Sequence, residues 1–398
     1  MIFFIITTLL VSEVALQVLV KYLKKDFQWL ITEEDEYPDF DKKALKKFFK
    51  NSFDKELGWV RKPNSSGFEN GKYGKIEYHI DSNGSRENFI EKETLIATFG
   101  DSYTFCRQVE DDQTWQVYLS KKLNNKVLNF GVGNYGVDQA LLYYQRHEVP
   151  MKTKTVVLGF VPETICRIQS YWKHYLEFGN TFAFKPRFTL ENGKLILHGN
   201  PISELKGFND INRVIDSIKS TDGFYIRKFK HLQFKTPYLI KFVINIRRNS
   251  LLFFLLIRKK FFNILGIHNA EINNAPFSII MKDNIEDSHA MYNDNYACEL
   301  LENILLQFCD EAYKRGHKPL ILIMPQLIDL KIIRKTGVNP YNNFFVQLGD
   351  KAPVLDMTES INTGNLSDLY TEDVYGGHFS AKGNKLVAEN IISYLNKT

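Results

Sequence analysis

From residue 95 onward the chain alternates short runs of Val, Ile and Leu with stretches of helical periodicity. The runs at 95–99, 126–129, 155–158, 319–324 and 353–356 are each closed by Gly, Pro, Asn or Asp. Runs this short and apolar, with no polar alternation, read as strands buried on both faces, the mark of a parallel sheet. The helical patterns between them, at 137–146 and 296–315, supply the crossovers. A last helix over 381–395 follows Ser380 as its N-cap. The pattern predicts an α/β fold.

The rest of the chain divides around that core. Residues 1–25 are predicted to be an N-terminal membrane anchor and residues 26–92 a polar, then β-rich, lead-in. Residues 93–166 and 296–398 form the core, and residues 167–295 are an insertion. The first twenty residues are long enough to span a bilayer, and Lys21, Lys24 and Lys25 follow them. Glu13 interrupts the run at a cost of about 3 kcal/mol, which apolar side chains at roughly −0.5 kcal/mol each offset. With no basic leader and no small-residue cleavage site, a cleaved signal peptide is not expected. The lysines after the run favour a cytoplasmic C-terminal domain under the positive-inside rule.

The formal charge of +5 is local in origin. Between Lys206 and Lys260 basic residues far outnumber Asp210, Asp216 and Asp222, which leaves the rest of the chain net negative. A balance confined to one segment does not make a nucleic-acid binder. Within it, residues 238–262 interleave apolar side chains with Lys241, Arg247, Arg248, Arg258, Lys259 and Lys260, too many charges for a spanning helix. Such an element suits an anionic membrane surface, an acidic polymer, or a helical cap with a solvated basic face. Cys106, Cys166, Cys298 and Cys309 show no metal-ligand spacing and read as free thiols. No Walker motif and no His/Cys cluster is present, so neither a metal nor a nucleotide is expected.

The chemistry concentrates at two places. Phe99-Gly100-Asp101-Ser102-Tyr103-Thr104-Phe105 directly follows the first predicted strand. A serine there sits at the carboxyl edge of a parallel sheet, where open α/β folds place their ligands. A nucleophilic serine needs a base. Among nine histidines, His378 stands out within Asp373-Val374-Tyr375-Gly376-Gly377-His378, a glycine-bearing loop before the last helix. Met324-Pro325-Gln326 ends the fourth strand, where side chains line a cleft or simply terminate the strand.

The Gly-Asp-Ser block, the Asn129-Phe130-Gly131-Val132 block and the late Asp…His block together resemble the SGNH/GDSL hydrolases, over residues 95–395 without the insertion. Glu56-Leu57-Gly58-Trp59, Asp81-Ser82-Asn83-Gly84-Ser85-Arg86 and Gly136-Val137-Asp138-Gln139-Ala140 resemble a bacterial branch, often membrane-anchored and found with surface-polysaccharide functions. The resemblance implies a three-layer α/β/α sandwich with a five-stranded parallel sheet, no cofactor, and an extracytoplasmic catalytic domain, against which the lysines after the anchor stand. It makes Ser102 the nucleophile and His378 the base, with the N–H groups of Ser102 and Asn134 as oxyanion hole. Asn134 stands where the family has Gly, and Asn tolerates the left-handed region. Asp101 and Thr164 are placed at the substrate. Two departures are plain. Val161 replaces the oxyanion-hole asparagine, with Asn134 or Thr164 as substitute donors. Tyr375 occupies the position of the acid, which leaves Asp373 as the candidate to orient His378, or a Ser-His dyad without an acid. Three functions follow: hydrolysis of an O-acyl ester, most simply O-acetyl on a surface glycan; acyl transfer by the same residues; or a silent glycan-binding protein on this fold.

Overall fold

The computed structural model describes residues 1–397. Helix α1 spans Ile2–Lys24 and is followed by a hairpin of Ser65–Gly71 with Gly74–Ile80. The core begins with β1 (Thr94–Gly100), α2 (Ser102–Phe105) and α3 (Trp115–Leu123). It continues through β2 (Lys126–Gly131), α4 (Val137–Arg146) and β3 (Thr155–Phe160). After β3 the chain leaves the sheet for a long excursion that includes α5 (Tyr238–Ile244), α6 (Ile246–Ile264) and α7 (Ala270–Met291). It returns through α8 (Asn295–Lys314), β4 (Lys318–Ile323), β5 (Val354–Asp356) and the terminal helix α9 (Ala381–Leu395).

All five strands are parallel, in the order β5-β4-β3-β1-β2. Successive side chains on a strand face opposite sides. Ala97, Leu128, Leu158 and Ile321 therefore enter one apolar cluster, with Leu141 of α4 and Leu301 and Ile304 of α8. Ile96, Val127, Val157 and Leu322 enter a second, with Trp115 and Leu119 of α3 and Val387 and Ile391 of α9. Two helical layers thus cover the two faces of one sheet. This is the α/β/α sandwich that the strand pattern and the SGNH/GDSL resemblance led us to expect. Ser380 caps α9 as expected, its Oγ accepting the Gly383 N–H at 3.2 Å. The four cysteines are free.

A third cluster joins the two ends of the molecule's apolar surface. Val20 and Leu23 of α1, with Phe27 and Leu30, pack against Leu252, Phe253 and Leu256 of α6 and Ile280 of α7. Glu13, the acid that breaks the apolar run of α1, is not left bare. Its carboxylate accepts the N–H groups of Tyr238 and of Leu239, the latter at 2.8 Å, at the start of α5.

Candidate active site

Ser102 rests on three glycines. Gly100 at the end of β1 is in register with Gly131 of β2 and Gly159 of β3. A Cβ on Gly131 would lie 2.2 Å from the Phe105 nitrogen, and one on Gly159 would lie 2.5 Å from Thr104 Oγ1. Only bare backbone at these positions lets the Ser102 turn settle onto the strand ends. Thr104 Oγ1 then donates to the Gly159 carbonyl at 2.7 Å. Asp101 fastens the same turn. Its carboxylate, 1% exposed, accepts the N–H of Tyr103 at 2.8 Å, the N–H of Val161 at 3.0 Å and Arg167 Nη1 at 3.2 Å. Burial raises the Asp101 carboxyl from its ordinary range, with Arg167 and the N–H donors opposing.

His378 sits on a two-stranded ribbon, Tyr370–Glu372 with Gly376–Phe379. Glu372 Oε2 accepts the N–H groups of Val374 at 2.8 Å and Tyr375 at 2.6 Å, which closes the turn. Gly377 is left-handed at φ +60°, and a Cβ there would meet Thr371 Oγ1 at 2.5 Å and Gln108 Oε1 at 2.7 Å. The Tyr103 hydroxyl donates to the Gly377 carbonyl at 3.1 Å, and the Tyr103 and His378 rings stand 5.1 Å apart. These contacts bring His378 and Ser102 to one cleft of about 220 Å³, which Arg107, Gln108, Asn134, Glu163 and Arg167 also line.

The residue that orients the imidazole is Gln108. Its Oε1 lies 2.7 Å from His378 Nδ1 and also accepts the Thr371 hydroxyl at 3.0 Å. Its Nε2 donates to the Asn70 carbonyl at 3.0 Å, so the oxygen end of the amide must face the histidine. An acceptor at Nδ1 selects the Nδ1–H tautomer and leaves the lone pair of Nε2 free to accept a proton. Burial, and then the charges of Arg107 and Arg167, hold the His378 imidazole well below its ordinary value. Service as a general base needs the neutral ring. The acid limb of kcat/KM is therefore expected below about pH 6.5, the ordinary imidazole value. A profile from about pH 4 to about pH 8 checks this, and a limb at or above the ordinary value contradicts it.

Asp373 does not fill the role expected of it. Its side chain is 66% exposed and pairs with Lys72 Nζ at 3.4 Å, while Gln108 holds His378 Nδ1. The turn that Glu372 closes directs Asp373 outward, and sequence spacing alone does not disclose that. Replacing Gln108 with Gly suits its left-handed backbone (φ +69°) and removes the amide together with its two methylenes. Gln108→Gly is expected to lower kcat by about 10²- to 10⁴-fold. Asp373→Asn is expected to leave kcat within about twofold. Steady-state rates on one ester compare the two, and a larger loss in Asp373→Asn reverses the assignment.

Two other expected residues also lie elsewhere. Asp101 is consumed by backbone and Arg167, so it positions the serine and does not reach a substrate. Thr164 is fully buried, and its Oγ1 accepts the Val137 N–H at 3.0 Å, which ties the segment after β3 to the start of α4. Asn134 does line the cleft, in the left-handed conformation (φ +70°) expected of it. Val161 is buried in the second core cluster, so no side-chain donor enters from that position. Arg167, six residues on, comes into the cleft instead. Its Nη1 donates to the Tyr135 carbonyl at 3.1 Å and its Nη2 to Glu163 at 2.9 Å.

Sequence reasoning missed Gln108, Arg167 and the base of the loop that carries Gln108. Arg86, 1% exposed, donates from Nε to Asp111 at 2.7 Å and from Nη1 to the carbonyls of Phe105 at 2.9 Å and Cys106 at 2.6 Å. Its Nη2 takes the Val109 carbonyl. Glu69 of the hairpin adds contacts to Arg107 Nε at 2.8 Å and to the Gln108 N–H at 3.2 Å. The Asp81–Arg86 motif was the only signal for this framework.

No protein-family model matches the chain, and no curated protein does. Solved structures do. A protein assigned to the G-D-S-L lipolytic family from Desulfitobacterium hafniense DCB-2 is similar at 10% identity and a TM-score of 0.33, over 76% of this chain and 99% of its own. A protein from Lactobacillus plantarum is similar at 9% identity and 0.35, over 77% and 98%. A lipase/acylhydrolase from Enterococcus faecalis is similar at 11% identity and 0.31, over 77% and 96%.

Proposed function

We propose that the chain is a serine ester hydrolase acting on small O-acyl esters, with O-acetyl groups of a cell-surface glycan as the substrate class. The observation that carries this reading is the meeting of Ser102 and His378 in one cleft, with Nδ1 of the histidine engaged by Gln108. In the reaction, Ser102 Oγ attacks the ester carbonyl carbon as His378 Nε2 takes its proton. The N–H groups of Ser102 and Asn134 receive the developing oxyanion. Collapse expels the alcohol, which takes the proton back from His378, and water then releases the acyl group by the same steps in reverse order.

The cleft supports a small acyl group. At about 220 Å³ it is smaller than the roughly 300–1,000 Å³ typical of pockets for drug-sized ligands. A hydroxyl-rich partner is supported by three of its lining residues. Arg167 Nε, Asn284 Nδ2 and Gln326 Oε1 are buried and have no hydrogen-bond partner among the described residues. Buried polar atoms are nearly always paired, so donors and an acceptor left open beside a cleft suit a polar ligand. Helix α1 is the candidate anchor, and the proposal places the catalytic domain on the extracytoplasmic side.

Acyl transfer in place of hydrolysis is favoured by one feature. A second cavity of about 400 Å³ adjoins the cleft through Arg107 and Asn134, with Trp59, Phe48 and Phe182 among its lining residues. Aromatic faces beside a cation would suit a sugar acceptor. Product analysis with an acceptor glycan separates transfer from hydrolysis.

A serine-reactive fluorophosphonate tests the reading as a whole. The wild type is expected to label, and Ser102→Ala and His378→Ala are expected to lose the label. A wild type that stays unlabelled where a control esterase reacts sinks both enzymatic readings.

A further inference from the structure

Helix α6 is apolar on both sides. Its inner face buries Leu252, Phe253 and Leu256 against α1 and α7. Its outer face presents Phe254, Ile257, Phe261 and Ile264 to the surroundings, each between 49% and 75% exposed. The shorter α5 adds Val243 and Ile244, also exposed. A helix on a protein surface ordinarily turns a polar face outward. An outward row of Phe and Ile marks a surface whose proper medium is not water.

Two further observations say what that medium is. The helix that carries the row packs against α1, most of whose apolar side chains from Ile2 to Val18 are exposed. Glu13 of α1 is bound to the start of α5, and Lys260 near the end of α6 pairs with Asp26 and lies 3.6 Å from the centroid of the Tyr22 ring. Both ends of the α5–α6 unit are thus fixed along the helix that is long and apolar enough to cross a membrane. The charges agree. Residues 238–267 contain no Asp or Glu, and Lys241, Arg247, Arg258 and Lys259 flank the apolar row. Basic side chains beside an apolar face are the composition that binds anionic lipid.

We infer that α5 and α6 form a second membrane-contacting element, seated in an anionic lipid surface beside α1. The inference rests on α1 being a membrane helix. It bears on the catalytic cleft through α7. Ile280 of that helix lies in the same cluster as α1 and α6, while Phe277 and Met281 line the cleft. One helix, α7, therefore stands between the Ser102 cleft and the lipid-contacting α6.

The test uses the full chain in vesicles of phosphatidylcholine containing about 30% phosphatidylglycerol. An environment-sensitive fluorophore is placed on Phe254→Cys or Phe261→Cys, with Leu9→Cys reporting α1 and Val346→Cys reporting an exposed site on the sandwich. A Cys298→Ser background removes the one thiol that is not buried. Doxyl-labelled lipid is expected to quench the labels at 254 and 261 at least about twofold more than the label at 346, and more strongly with anionic lipid than without. Labels at 254 and 261 that match 346 while 9 is quenched overturn the inference and leave the anchor standing. If 9 is also unquenched, the anchor reading falls and the inference with it. A response at 254 to soluble dextran sulfate but not to vesicles assigns the surface to an acidic polymer, which also overturns it.

Discussion

Replacing His378 with Ala is expected to lower kcat on a small acetyl ester by about 10⁴-fold, the upper end of what a positioned general base supplies. A carboxylate-backed triad loses closer to 10⁶-fold when its histidine is removed. The smaller figure follows from Gln108. A neutral amide at Nδ1 fixes the ring and its tautomer, but it carries no charge to offset the imidazolium that forms during acylation. The starting rate is lower, so less is lost. Steady-state kinetics checks this on protein whose circular dichroism matches the wild type. A loss under about tenfold contradicts the assignment of His378 as base.

Arg86→Ala is expected to cost about 3–5 kcal/mol of stability, the usual penalty for breaking a buried ion pair from one side. The substitution leaves the Asp111 carboxylate, 6% exposed, with His79 as its one remaining partner among the described residues, and removes the donor for three carbonyls of the loop from Phe105 to Val109. Against a total of about 5–15 kcal/mol, that is a large share. The melting temperature is expected to fall by about 4–6 °C. Arg86→Lys does not rescue it, since one ammonium cannot span acceptors that a planar guanidinium meets at once. Activity is expected to fall as well, because the same loop carries Gln108. A melting temperature within about 2 °C of the wild type removes the framework role.

Much of this was legible in the sequence for a physical reason. Strands buried on both faces must be apolar throughout, so the five runs announce themselves, and β1 to β5 fall where those runs lie. The serine was legible because a nucleophile at a strand end needs small residues beside it, and Gly100 and Gly131 stand in plain view. Gln108 was not legible. It lies on an irregular loop with no periodicity, and only the folded chain brings it to His378. Asp373 misled because counting back from a histidine ignores which way a turn directs each side chain. Arg167 was hidden by a boundary, since it falls at the first residue of the expected insertion and yet reaches back to Asp101.

Ser102 and His378, the two groups of the proposed mechanism, stand on unequal foundations. Ser102 is carried by the ends of three core strands, whereas His378 rides a two-stranded ribbon fastened by Thr371, Gln108 and Tyr103. Tyr370 and Phe379 anchor that ribbon in the second core cluster, yet two short strands with one another as their only partners open at lower free energy than a central sheet does. Undocking of the ribbon would take His378 from Ser102 while the five core strands stay paired. On the proposed mechanism, turnover is expected to follow the docking of this short ribbon, and the melting curve the sheet.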